Sequence, residues 1–149
     1  MPEPTETPTK PARKRASRKP KGEQPEGVIV VRYDPAFPLA DLQPYYRNPN
    51  RGDVETIRRS LRKTGQYRAI VVNVGSHTGR ANEVLAGNHT FAAAKAEGRS
   101  TMACEFVDVD EQTAARIVAI DNRAAEKAKR DADVLAELLG SMNDLEGTG

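Results

Sequence analysis

The stretch EVLAGNHTFAAAKAEG, residues 83–98, carries most of what this sequence says about its fold. Val84-Leu85-Ala86 is an apolar run that stops at Gly87. Asn88-His89-Thr90 is polar throughout, and the alanine-rich segment after Phe91 has helical character and ends at Gly98. That order is a buried strand turning directly into a helix. A helix opening at such a junction presents backbone N–H groups without helical partners and the positive end of its dipole. A glycine there lets an anion approach the backbone, and three polar side chains add donors around it. The pattern fits a phosphate seat at Gly87, Asn88, His89 and Thr90. It equally fits an ordinary turn, with Gly87 at an unusual backbone angle and Asn88 or Thr90 capping the helix.

Outward from this stretch the chain alternates strand and helix signals. Ahead of it, AIVVNV (Ala69–Val74) predicts a strand and GSHTG its turn, making Asn82–Ala86 the hairpin partner. Further back, Asp53 caps a helix with Val54, Ile57 and Leu61 at helical spacing and Gly65 as its stop. The proline-rich segment 34–52 predicts extended chain and loop with a short strand near Leu42, and VIVVRY (Val28–Tyr33) predicts a strand. Beyond the stretch, the helix is expected over about Thr90–Glu97. TMACEFVDV then predicts a strand with Met102, Cys104 and Phe106 on one face. Asp110 caps a helix from Glu111 to about Asn122, with Ala114, Ile117, Val118 and Ile120 as its apolar side, and Asp133–Leu139 predicts a last helix. The implied fold is a small α+β domain with helices packed on a mixed β-sheet.

The chain has 149 residues, room for one domain and its tails. Residues 1–27 contain no Val, Ile, Leu or aromatic residue and carry the run KPARKRASRKPKG, so they predict a disordered basic tail. Seven basic and four acidic residues lie there, and a second basic region, Arg47–Arg68, holds seven basic against two acidic residues. From Glu83 onward thirteen acidic residues face seven basic ones, so the two basic regions point to an anionic partner. A single cysteine, Cys104, excludes an internal disulfide and a multi-cysteine zinc site. No apolar segment nears membrane-spanning length and no secretory signal opens the chain, so a soluble, cytoplasmic protein is expected.

Two further segments end an apolar element with polar residues. KTGQYRAIVVNV sets Gly65 and Gln66 before a strand, and ARIVAIDNRAAEK sets Asp121, Asn122 and Arg123 at the end of a helix. With the Gly87 stretch, these three boxes resemble, in order and spacing, the N-terminal domain of ParB partition proteins in the ParB/sulfiredoxin superfamily. In that family the corresponding boxes read G-x-x-x-P-I-x-V, G-E-R-R-x-R-A-A-K and E-N-x-x-R. Gly87, Ala93, Ala94 and Lys95 match the second, and Asp121-Asn122 resembles the third. The resemblance spans 28–128, with 129–149 as a C-terminal helix and frayed end.

The resemblance implies a nucleoside triphosphate, CTP or ATP, held with Mg²⁺. Gly87, Asn88, His89 and Thr90 would line the phosphates, Gly65 and Gln66 would border the base or triphosphate, and Asp121 and Asn122 would face the metal. His89 and Thr90 stand where the family has two arginines, Asn88 where it has glutamate, and Ala92 and Ala125 at two further arginine positions. These departures imply weak or no CTP turnover. Sulfiredoxins read G-C-H-R there; Asn88 holds the place of their cysteine, so their chemistry is expected to be absent. Partition proteins continue into helix-turn-helix and dimerisation domains, for which the roughly twenty residues after Ala128 leave no room. In this the chain resembles the ParB-like nuclease proteins of bacteriophages.

The expected activity is DNA binding, mainly through phosphate contacts from Arg13, Lys14, Arg15, Arg18 and Lys19 of the tail and Arg58, Arg59 and Arg62 of the first helix. Two alternatives stand beside it: a metal-dependent nuclease or nucleotide hydrolase using Asp121 and Asn122, and a protein-interaction module needing neither DNA nor nucleotide. A homodimer is compatible with each.

Overall fold

A computed structural model describes residues 27–48, 53–127 and 138–141. The tail with its five basic residues Arg13 to Lys19, and all but the end of the expected helix 133–139, lie outside the described residues; Leu138–Gly140 is helical. The elements run β1 (Arg32–Pro38), a 3₁₀ turn (Leu39–Asp41), β2 (Gln43–Pro44), α1 (Val54–Thr64), β3 (Ile70–Asn73), β4 (Glu83–Ala86), α2 (Asn88–Ala96), β5 (Thr101–Val107) and α3 (Glu111–Lys127).

The five strands form one mixed sheet in the order β1-β5-β3-β4-β2. β3–β4 and β1–β5 are antiparallel, while β3–β5 and β2–β4 are parallel. The parallel β3–β5 pair needs a crossover, and the β4–α2 unit supplies it. Alternation along the strands sends Val72, Val84, Cys104 and Phe106 to a core with Leu61 and Phe91, on the α1 and α2 side. Leu85 and Val107 go to the other face, against Ala114 and Val118 of α3. The central strands are thus apolar on both faces because helices cover both. Buried Asn73 ties the layers by bonding both backbone groups of Val109, Nδ2 to the carbonyl at 3.2 Å and Oδ1 to the N–H at 3.1 Å. Among the described residues no helix is long and apolar enough to cross a membrane.

The α+β class, the Asp53-capped helix, the β3–β4 hairpin and the alternating β5 follow the sequence expectations. The first strand does not. Val28–Val31 lie outside it, and β1 starts at Arg32 and runs on through Pro35 to Pro38. An edge strand tolerates prolines because half its N–H groups have no partner to lose. The helix after Gly87 opens at Asn88 and ends at Ala96, slightly earlier than expected at both ends. α3 continues to Lys127, so Asp121 and Asn122 lie within the helix rather than at its end. Ile120 is not on its apolar side: it is 67% exposed. Six residues past Ala114 is about 240° around the axis, well off the sheet-facing stripe.

Candidate functional site

The β4–α2 junction is built around one glycine. Gly87 is left-handed, with φ 85° and ψ 27°, and its carbonyl accepts the first helical bond from Phe91 N–H at 2.9 Å. A Cβ at Gly87 would lie 2.6 Å from Cγ2 of buried Ile70. Glycine is therefore required twice, for the backbone angle and for the approach of β3. No side chain caps α2, so the N–H groups of its first turn lack the usual capping acceptor. The Gly87 N–H instead lies 3.4 Å from Asp121 Oδ2 on α3, a long contact that sets a carboxylate at the positive end of the helix.

This junction opens on a cavity of about 310 Å³ lined by Arg68, Ile70, Gly87, Thr90, Glu105 and Asp121. A second cavity, about 380 Å³, is lined by Ser60, Gly65, Gln66, Tyr67, Arg68 and Thr90 among others. Arg68 and Thr90 belong to both, so the two hollows meet along that pair. The expected residues Gly65, Gln66, Gly87, Thr90 and Asp121 are thereby gathered around one concave surface.

The side chains within that group differ in what they can offer. Asn88 is occupied by backbone: Nδ2 donates to Val84 O at 3.0 Å, and Oδ1 accepts from Tyr45 N–H at 3.2 Å. It fastens the segment after β2 to β4. Gln66 is similarly engaged, donating to the carbonyls of Arg68 and Ala103 at 3.1 and 2.9 Å and accepting from Ala103 N–H at 2.8 Å. Thr90 is half-buried on the first turn of α2 and faces both hollows, with half-buried His89 beside it. Asn122 leaves the group. Neighbouring helix positions diverge by about 100°, and its Nδ2 donates to Asn48 Oδ1 at 3.3 Å, beside a separate cavity of about 750 Å³. The Asp121–Asn122 pair thus splits between two surfaces.

On α1, Arg58 bonds Glu97 at 2.7 Å and Glu55 at 3.0 Å, while Arg62 lies 3.5 and 3.6 Å from the same two carboxylates. Hydrogen bonding to Glu97 pushes the Arg58 guanidinium above its ordinary value. Arg59 donates to Thr56 Oγ1 at 3.3 Å. Half-exposed pairs of this kind add little stability, but they cancel part of the charge the helix shows to an anion.

Arg68 and Glu105 line the hollow without having been singled out from sequence; the only signal was a polar Tyr67-Arg68 pair just before a strand. A second polar cluster was also missed. Buried Glu83 accepts from Arg80 Nε at 3.2 Å and from Tyr46 N–H at 3.2 Å; Arg80 stacks 4.3 Å over the Tyr46 ring, and Tyr46 donates to Glu111 at 2.6 Å. The Tyr46 bond, then Arg80, holds the Glu111 carboxyl below its ordinary value. The cluster latches the segment after β2 to the start of α3. Among the described residues, no three His, Cys, Asp or Glu side chains converge as a metal site. A divalent cation at the groove would take Asp121 or Glu105 and complete its shell from ligand oxygens, as Mg²⁺ commonly does.

Solved structures with a similar arrangement include ParB proteins. C-terminally truncated ParB from Caulobacter crescentus, complexed with CTP-γ-S, superposes with a TM-score of 0.59 at 22% identity over 73% of this chain. The fold is that of a ParB N-terminal domain. The same Caulobacter protein complexed with the centromeric parS site gives 0.50 at 19% identity over 72% of this chain, and a Pnob8-like ParB-N domain gives 0.51 at 16% over 75%. The chain spans 63%, 57% and 48% of those three ParB chains. No protein-family model and no curated protein matches the sequence.

Proposed function

We propose that this chain is a cytoplasmic ParB-like DNA-binding module whose groove at Gly87 takes the phosphates of a nucleoside triphosphate weakly. The observation that carries the pocket is the uncapped start of α2 at a left-handed glycine, facing a hollow that also holds Arg68 and Thr90. Backbone N–H groups and the helix dipole favour an anion there. Likeness in fold to a protein complexed with CTP-γ-S and with parS supports both halves of the reading. His89 and Thr90, in place of two guanidinium groups, remove bidentate phosphate contacts and make the grip weak. CTP or ATP with Mg²⁺ is the ligand class, Asp121 being the carboxylate available to the cation. DNA contact falls to the basic tail, Arg13 to Lys19, supplemented by Arg58, Arg59 and Arg62. Asn88 has no thiol, so sulfiredoxin chemistry is absent from this reading.

The test is a titration of labelled duplex DNA at several salt concentrations, with and without CTP or ATP and Mg²⁺. The log of affinity should fall linearly with the log of salt, and deleting residues 1–27 should weaken binding and flatten that slope. An unchanged slope would remove the tail from the binding account, and no duplex binding at low salt would overturn the DNA reading. Multiple turnover of CTP at the rates of partition proteins would overturn the weak grip.

A further inference from the structure

β1 is an edge strand, paired with β5 on one side, and among the described residues nothing pairs with its other side. The residues leading into it are apolar and half in water: Val28, Ile29, Val30 and Val31 are 47–54% exposed, and Tyr33 is 58% exposed. Single exposed apolar residues are common, but four in a row at an open sheet edge form a template for another strand.

The segment is also complementary to itself. It reads Val-Ile-Val-Val, then Arg32-Tyr33-Asp34, then Pro-Ala-Phe-Pro. Two copies laid antiparallel with Tyr33 opposite Tyr33 set Arg32 of each against Asp34 of the other. The same register sets Val28–Val31 of each against Pro35–Pro38 of the other, apolar against apolar. The backbone permits it. Val31 N–H is turned inward, donating to Phe106 O at 2.8 Å. In β5, Val107 O faces β3, accepting from Val74 N–H at 2.8 Å, so Phe106 and Cys104 face β1. Their partners Arg32 and Asp34 are turned inward as well, leaving the backbone groups of Tyr33 toward the open edge. The outer half is blunted, because Pro35 and Pro38 have no N–H and the N–H of Ala36 is held by Asp34 Oδ1 at 2.9 Å. The bonded centre is therefore short: it is the Tyr33 pair, each Tyr33 N–H reaching the other's carbonyl, with the Arg32 and Asp34 charges on either side of it.

We propose that this chain forms a two-fold dimer by antiparallel pairing of its β1 edges about Tyr33, the partner being a second copy of the chain. The interface is isologous, so each charged pair occurs twice. This surface is separate from the Gly87 groove and does not depend on a nucleotide.

Sedimentation equilibrium of the full chain tests it. The parent should show a monomer–dimer equilibrium. Arg32→Asp or Asp34→Arg alone sets like charges opposite each other twice and should weaken association by roughly tenfold or more. An equimolar mixture of the two variants should dimerise again, because each strand then meets its opposite, and so should the double swap. Arg32 also stacks over Phe106 at 3.9 Å, so Arg32→Asp is first checked for folding by circular dichroism. Should it not fold, Val30→Lys, which leaves both charges in place, must abolish the dimer. A parent that stays monomeric up to about 1 mM overturns the proposal. Single variants that dimerise like the parent mean another face, or residues 1–26, covers the edge. A mixture that stays monomeric means another register. Either result overturns it.

Discussion

Two glycines bracket α2, and substituting each by alanine separates backbone strain from crowding. Gly98 closes the helix with φ 70°; its N–H bonds Lys95 O at 3.1 Å and Arg99 N–H bonds Ala94 O at 3.0 Å. An added Cβ there meets nothing within 4 Å. Gly98→Ala should therefore cost about 1–2 kcal/mol, the penalty for an L-residue in the left-handed region. Gly87→Ala carries the same penalty and also drives a Cβ to 2.6 Å from Ile70 Cγ2 and 3.2 Å from Ile70 Cβ. Ile70 is 2% exposed and β-branched, so relief requires moving β3, and overpacking of this kind adds about 1–3 kcal/mol. The expected total is about 2–5 kcal/mol. Urea unfolding followed by circular dichroism measures both variants, with an unchanged m-value as the control that only stability moved. Equal losses for the two would refute the close approach of Ile70, and with it the account of why residue 87 is glycine.

Burial pushes the Cys104 thiol up to about 11 from 9.0, so at pH 8 it should react with a disulfide reagent at least about a hundredfold more slowly than the unfolded chain; equal rates would place it at the surface. Asn73→Ala leaves both backbone groups of Val109 without their partner in the core and should cost about 2–4 kcal/mol by urea unfolding. Glu111 has a lowered folded value against an ordinary 4.5, so its contribution is present above that value and is lost as pH falls through the folded one. The stability gap between the parent and Glu111→Gln should be open at pH 7 and narrow as pH falls below 4.5 and on through the lowered folded value; a gap independent of pH would argue against the Tyr46 and Arg80 contacts.

What was legible in the sequence was local. Asp53, the Val54-Ile57-Leu61 stripe and Gly65 state α1 within thirteen residues, and Asp53 does accept from Thr56 N–H at 3.1 Å. Met102, Cys104 and Phe106 alternate because one face of β5 meets the core. β1 was misplaced because strand propensity is strongest in Val28–Val31, whereas pairing is decided by β5, whose partners are Arg32 to Pro38. The latch of Tyr46, Arg80, Glu83 and Glu111 draws on three separate segments, and no window of sequence contains it. The approach of Asp121 to Gly87 spans 34 positions and came from the family resemblance alone.

Asn88 and Thr90 of the polar trio after Gly87 have different roles, and this bears on the electrostatics of the groove. Asn88 is a fastener whose amide is bound at both ends. Of the three, Thr90 is the one that lines the hollows, with Arg68 the cation beside it. Against Arg68 stand Asp121 and Glu105 in the same hollow, so the side chains that line it carry more negative than positive charge. A bare triphosphate would meet the Asp121 carboxylate at the point where the α2 dipole would otherwise attract it. Two anions share such a place only when one is neutralised or a cation lies between them. On the proposed reading, the same carboxylate that weakens the seat for a free anion would be a ligand for a cation arriving with the phosphates. In the proposed function, affinity therefore rests on the metal–nucleotide complex as a unit. On that proposal, His89 and Thr90 in place of guanidinium groups and the Asp121 carboxylate would act in the same direction, lowering attraction for phosphate alone while leaving a place for its counter-ion.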